Sequence, residues 1–95
     1  MDNQHRKISG YRELTQEEID LMNRIKAFGP ELEKLCEDVL DHIDRQYQTA
    51  QMMELDDGIQ RLFDADPHEW LMDGKKDLQK GLMFLTRAVA QPSFF

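Results

Sequence analysis

The sequence is poor in the features that most often announce a function, and each scarcity removes a class of protein. It has one cysteine, Cys36, so no internal disulfide framework is available. Positive charge is scarce: 12 Lys and Arg stand against 19 Asp and Glu, a net charge of −7. Attraction to DNA, RNA or anionic lipid needs a basic field, so none of these is an expected partner, and any anion must be caught locally. No apolar run is long enough to span a bilayer or to act as a signal peptide, which sets the cytoplasm as the expected compartment. Phosphate-cradling glycine loops, a Ser, His, Asp set, internal repeats and low-complexity tracts are all missing. With 95 residues the chain is expected to form one domain, 1–95, near the low end of sizes that fold alone and dependent on partner subunits for part of its core.

What is present is helical. Thr15 and Glu18 form a capping box ahead of Ile19, Leu21, Met22, Ile25 and Phe28, a first helix over roughly 15–28. Gly29 and Pro30 suit a sharp stop and an immediate restart. Leu32, Leu35, Cys36, Val39, Leu40, Ile43 and Tyr47 then trace one buried stripe of a second helix over roughly 30–50. The connection at 48–66 is ambiguous. Asp56, Asp57 and Gly58 suit a kink or loop, while Ile59, Leu62 and Phe63 suit a short helix. Asp66 as cap, Pro67 at the first position and Glu69 as the reciprocal acid open a third helix, roughly 67–90, which Pro92 ends. With no strand signal, the fold class is all-α.

The third helix carries more apolar surface than one chain can cover. Trp70, Leu71, Gly74, Leu78, Gly81, Leu82, Leu85 and Val89 mark one face, while Met83 and Phe84 lie opposite. A girdle of this kind needs neighbours on several sides, and Phe94 and Phe95 of the terminal "SFF" extend it. An oligomer is expected.

Reactive constellations are thin. His42 shares its helix with Asp38 and Asp41, but a di-metal site in a bundle takes acids and histidines from several helices. His5 and His68 lie at caps or loops without acidic partners, so no metal or cofactor is expected and Asp38, Asp41, His42 and Arg45 read as a solvated face. Cys36 falls in the apolar stripe as a small core residue. The remaining features are cationic. "HRKISGYREL" at 5–14 gathers Arg6, Lys7 and Arg12 around Gly10 and Tyr11 before its first acid, Glu13. Such a segment is either a flexible tail or a site for an anion with a flat face. Lys26 lies on the apolar side of the first helix, near Ile19 and Met22, where a lysine snorkels or holds an anion. Lys76, Lys80 and Arg87 form a row on the third helix that suits a solvated face.

"ISGYRELTQEEIDLMNRIK" at 8–26 and "WLMDGKKDLQKGLMFLTRAVAQP" at 70–92 resemble the phage anti-CBASS family, small helical proteins that sequester cyclic oligonucleotides. CBASS is a bacterial defence in which a cyclic di- or trinucleotide activates a killing effector. The resemblance covers nearly the whole chain, and both ends carry it more specifically than 48–66. It implies a hexamer in the cytoplasm of the infected bacterial host that binds cyclic di- and trinucleotides without cleaving them. It further implies that Tyr11 stacks on a base and that Lys26 meets the phosphates. Gly10 then leaves room for close approach of the base, Arg12 is free to pair with phosphate or with Glu13, and Phe94 or Phe95 closes the pocket from another subunit. A separate trinucleotide site is implied without assigned residues, for which Arg87, Lys76 and Lys80 are the candidates. The rival expectation is a phage helical adaptor that docks a protein partner through helix 3 and "SFF". A phosphodiesterase is a third, disfavoured by the missing metal set.

Overall fold

The computed structural model describes residues 13–93. Three helices fill most of that span: α1, Gln16–Met52; α2, Asp56–Ala65; and α3, Pro67–Ala90. No strand occurs among the described residues, so the all-α class stands.

α1 opens on the expected capping box. The Thr15 N–H donates to Glu18 Oε1 at 2.8 Å and the Glu18 N–H donates to Thr15 Oγ1 at 3.2 Å, each satisfying an amide that the first turn leaves without a helical partner. The expected break at Gly29 and Pro30 is overturned, because α1 is a single helix of 37 residues with Pro30 inside it. Proline cannot donate to the Lys26 carbonyl, and its ring ordinarily pushes the preceding residue out of helical geometry by striking that residue's Cβ. Glycine at 29 has no Cβ to strike. The covered face also keeps its phase across the dipeptide: Ile19, Met22, Ile25, Gly29 and Leu32 are half-buried and Cys36, Ile43 and Ala50 are buried. That continuous spacing of three, four and seven residues favours one helix over two.

The ambiguous segment resolves into a turn and a short helix. Glu54 takes a left-handed conformation (φ 53°), the Leu55 N–H donates to the Ala50 carbonyl at 2.9 Å and the Glu54 N–H to that of Gln51 at 3.2 Å. This is a Schellman ending built on a glutamate instead of the usual glycine. α2 ends the same way with less: Asp66 is left-handed (φ 49°) and its N–H donates to the Leu62 carbonyl at 3.0 Å. Asp66 therefore occupies the expected junction but acts through its backbone, closing α2 as Pro67 opens α3. Gln91 (φ 50°) ends α3 with an N–H bond to the Arg87 carbonyl at 2.8 Å, just ahead of Pro92.

The chain packs as two compact units. One combines α1 up to Gly29 with α3 from Gln79 onward, and the other is Pro30–Leu78. The second unit holds the buried apolar residues Cys36, Ile43, Ala50 and Leu62. Beside them Tyr47 meets the Phe63 ring edge to face at 6.1 Å and stacks on His68 at 5.3 Å. His68 Nε2 lies 3.0 Å from Asp44 Oδ1, so the expectation that His68 has no acidic partner is corrected. The partner lies 24 positions earlier, beyond any local pattern.

The expected apolar face of α3 is only partly covered. Leu71, Leu82 and Val89 are half-buried, but Trp70, Leu78 and Leu85 are exposed together with Met83 and Phe84. No helix among the described residues is long and apolar enough to cross a membrane.

Candidate anion-binding cleft

Within the unit built from the two chain ends, one cleft of about 720 Å³ joins residues of α1 and α3. α1 supplies Met22, Asn23, Ile25 and Lys26; α3 supplies Leu82, Met83, Thr86, Arg87 and Ala90, and Pro92 follows. Helical spacing explains the selection. Positions 22 and 26, and 82, 86 and 90, are each four apart, so they stack along one side of their helices.

The lining is mainly apolar, with two neutral polar residues, Asn23 and Thr86, two cations, Lys26 and Arg87, and no carboxylate. In a chain of −7 that sorting matters, because the field from most of the surface repels anions while this wall attracts them. Lys26 is exposed and makes no ion pair among the described residues. It follows Met22 by four residues on the same side of α1, and its ammonium is available to an incoming anion. Thr86 is committed locally, its hydroxyl donating to the Leu82 carbonyl at 2.9 Å. The cleft can therefore hold a molecule that combines phosphate with flat or apolar surface. Its lining includes no carboxylate, imidazole or thiol that would move a proton or attack a bond.

The candidates expected from sequence separate cleanly. Lys26 and Arg87 come together, although the sequence placed Arg87 in a different row. Lys76 and Lys80 lie on α3 outside the lining. Gly10, Tyr11, Arg12, Phe94 and Phe95 fall outside the described residues. Met22, Asn23, Met83 and Thr86 also line the cleft; the usable signal in the sequence was that Met22 lies four residues before Lys26, Asn23 three before it, and Met83 four before Arg87, whereas nothing local marked Thr86. His42 and Asp38 do not act together, since Asp38 takes Lys34 at 2.9 Å. That hydrogen bond, reinforced by the Asp38 charge, raises the pKa of the exposed Lys34 ammonium. Among the described residues no three metal-ligating groups converge.

Fold and cleft together define an all-helical protein that presents a cationic, apolar-walled cleft suited to a small anion. The chain belongs to the family described as the Acb2/Tad1 hairpin domain, whose sequence pattern matches residues 5–90. It is 41% identical, over an alignment of 105 residues covering 97% of each chain, to a protein named Anti-CBASS protein 2 from Pseudomonas phage JBD67. The family expected from the two terminal motifs is thereby shown.

Proposed function

We propose that this protein is an anti-CBASS factor that binds cyclic di- and trinucleotide messengers and sequesters them intact, in the cytoplasm of the infected bacterium. Family membership and the name of the phage relative support the anti-CBASS role. The observation that carries the finer reading is the acid-free cleft in which Lys26 and Arg87 share one apolar wall. A cyclic dinucleotide has two phosphates and two bases. The cations suit the former, and the apolar wall with the ring of Tyr11 suits the latter, at roughly 1–3 kcal/mol for each stacked base. With no proton-transfer group in the cleft lining, capture without cleavage is the chemistry that this wall supports.

Oligomerisation belongs to the same proposal. In the unit holding the cleft, Phe28, Met83, Phe84 and Leu85 are exposed, a bare apolar surface of the kind that copies of a chain cover. A hexamer, with Phe94 or Phe95 of one copy closing the pocket of another, uses that surface. The same surface gives the rival reading, a helical adaptor for a protein partner, its one specific support. One experiment separates them. Purified protein is incubated with a cyclic dinucleotide, freed of unbound ligand and heated, and the released nucleotide is measured. Full recovery of intact ligand is expected. Degraded ligand would indicate an enzyme, and no captured ligand an adaptor.

A further inference from the structure

The rings of Tyr47, Phe63 and His68 form one connected platform inside the unit Pro30–Leu78. Phe63 of α2 meets Tyr47 of α1 edge to face at 6.1 Å, Tyr47 stacks on His68 of α3 at 5.3 Å, and His68 Nε2 lies 3.0 Å from Asp44 Oδ1. Each of the three helices thus contributes a ring whose position a neighbouring ring or carboxylate fixes. The platform also reaches solvent: Phe63 is 65% exposed although its neighbour Leu62 is buried. Beside it, His68 shares a groove of about 250 Å³ with Leu40, Leu71 and Met72, and Met72 is 57% exposed. Aromatic side chains that are held in place yet left exposed beside an apolar groove have the make-up of the centre of a protein interface, because little conformational freedom is lost when a partner covers them.

The surrounding charge decides which partner fits. Residues 52–73 hold seven acids and one cation, Arg61, so this stretch carries −6 of the chain's net −7. Asp64 directly follows Phe63 and Glu69 directly follows His68. None of the seven acids makes an ion pair among the described residues. A field of this sign repels nucleic acid and anionic lipid, and it repels a second copy that presents the same end. It attracts a basic protein segment. An apolar side chain of that segment can cover the rings, and an arginine can lie against the face of Phe63.

We propose that this acid-rimmed aromatic platform docks a basic segment of another protein, one that sets arginine or lysine beside one or two large apolar side chains. Phe28, Met83, Phe84 and Leu85, the exposed residues assigned above to self-association, belong to the other unit. The proposal does not depend on the function of the Lys26 cleft.

The test is the fluorescence anisotropy of a labelled synthetic peptide that alternates arginine with leucine, titrated with the intact protein. Two control peptides replace every arginine by glutamate or every leucine by serine. Saturable binding is expected for the arginine–leucine peptide, none for the glutamate version, and binding about tenfold weaker or worse for the serine version. Phe63→Ser should weaken binding about tenfold, the scale of a lost aromatic anchor, while Phe63→Trp should retain it. Because Phe63 is largely exposed, the serine variant should keep its helical circular dichroism. Asp64→Asn combined with Glu69→Gln, both at exposed positions, should weaken binding at low salt and leave less of a difference at high salt. Phe84→Ser should leave the affinity unchanged. Absence of saturable binding, equal affinity for the leucine and serine peptides, or unchanged affinity in Phe63→Ser would each overturn the proposal. So would a loss in Phe84→Ser equal to that in Phe63→Ser, which would put the peptide on the other unit. Light scattering that shows a smaller mass for Phe63→Ser than for the wild type would also overturn it, because a second copy would then be the occupant of the platform.

Discussion

Lys26 is the side chain on which the proposed function most depends, and its setting explains why a single substitution should be decisive. It is exposed at the edge of the covered face of α1, so changing it leaves the described apolar packing untouched. Lys26→Ala should weaken cyclic dinucleotide binding by about 1.5–3 kcal/mol, the scale of a hydrogen bond to a charged group, read by calorimetric titration. At position 11 the ring should matter more than the hydroxyl: Tyr11→Phe should keep most of the affinity, while Tyr11→Ala should lose roughly 1–3 kcal/mol for each base that stacks. An alanine variant binding as tightly as the parent would reduce the basic opening stretch to a tail. At this scale the sequence showed Lys26 as an oddly placed cation, because a local pattern suffices for that. It could not show that Arg87, 61 positions later, lines the same cleft, nor that His68 meets Asp44, since both juxtapositions depend on tertiary packing.

Among the elements, the third helix was legible to the residue because proline marks both its edges, Pro67 at the start and Pro92 just past the end. The all-α class followed from the apolar spacing. Gly29 and Pro30 each count as a helix breaker when taken separately. Together they cost less, because glycine removes the clash that proline imposes on its predecessor, and the unbroken phase from Ile19 to Ala50 outweighs one missing hydrogen bond. The Schellman ending at Glu54 was invisible because its signal is normally a glycine. A β-carbon in left-handed geometry costs roughly 1–2 kcal/mol, so Glu54→Gly should stabilise the protein by about 1 kcal/mol. Thermal melting at a fixed protein concentration, needed because assembly would make the midpoint concentration-dependent, should show a higher midpoint. A lower midpoint would mean that the glutamate side chain contributes more than its backbone costs.

At the scale of the whole molecule the telling quantity is apolar surface left bare. Trp70 is 74% exposed, Met83 68% and Phe84 67%, on a helix with no buried residue. The excess was visible in the sequence as the girdle of α3; which residues one chain covers was not, and Trp70 and Leu85 proved to belong to the bare part. If copies of the chain cover this surface, Phe84→Glu should shift the mass in solution toward smaller species, because a carboxylate there must be desolvated in an apolar contact. Light scattering at a single concentration would show it, and an unchanged assembly would move the interface elsewhere.

The most direct test of the central claim is a calorimetric titration of a cyclic dinucleotide into wild-type protein and Lys26→Glu, with the mass of both measured in the same buffer. Saturable binding by the wild type, no detectable heat from the variant and equal masses are predicted. A variant that is assembled like the wild type and binds the ligand equally well would contradict the account, because the cleft beside Lys26 would then not be where the messenger is held.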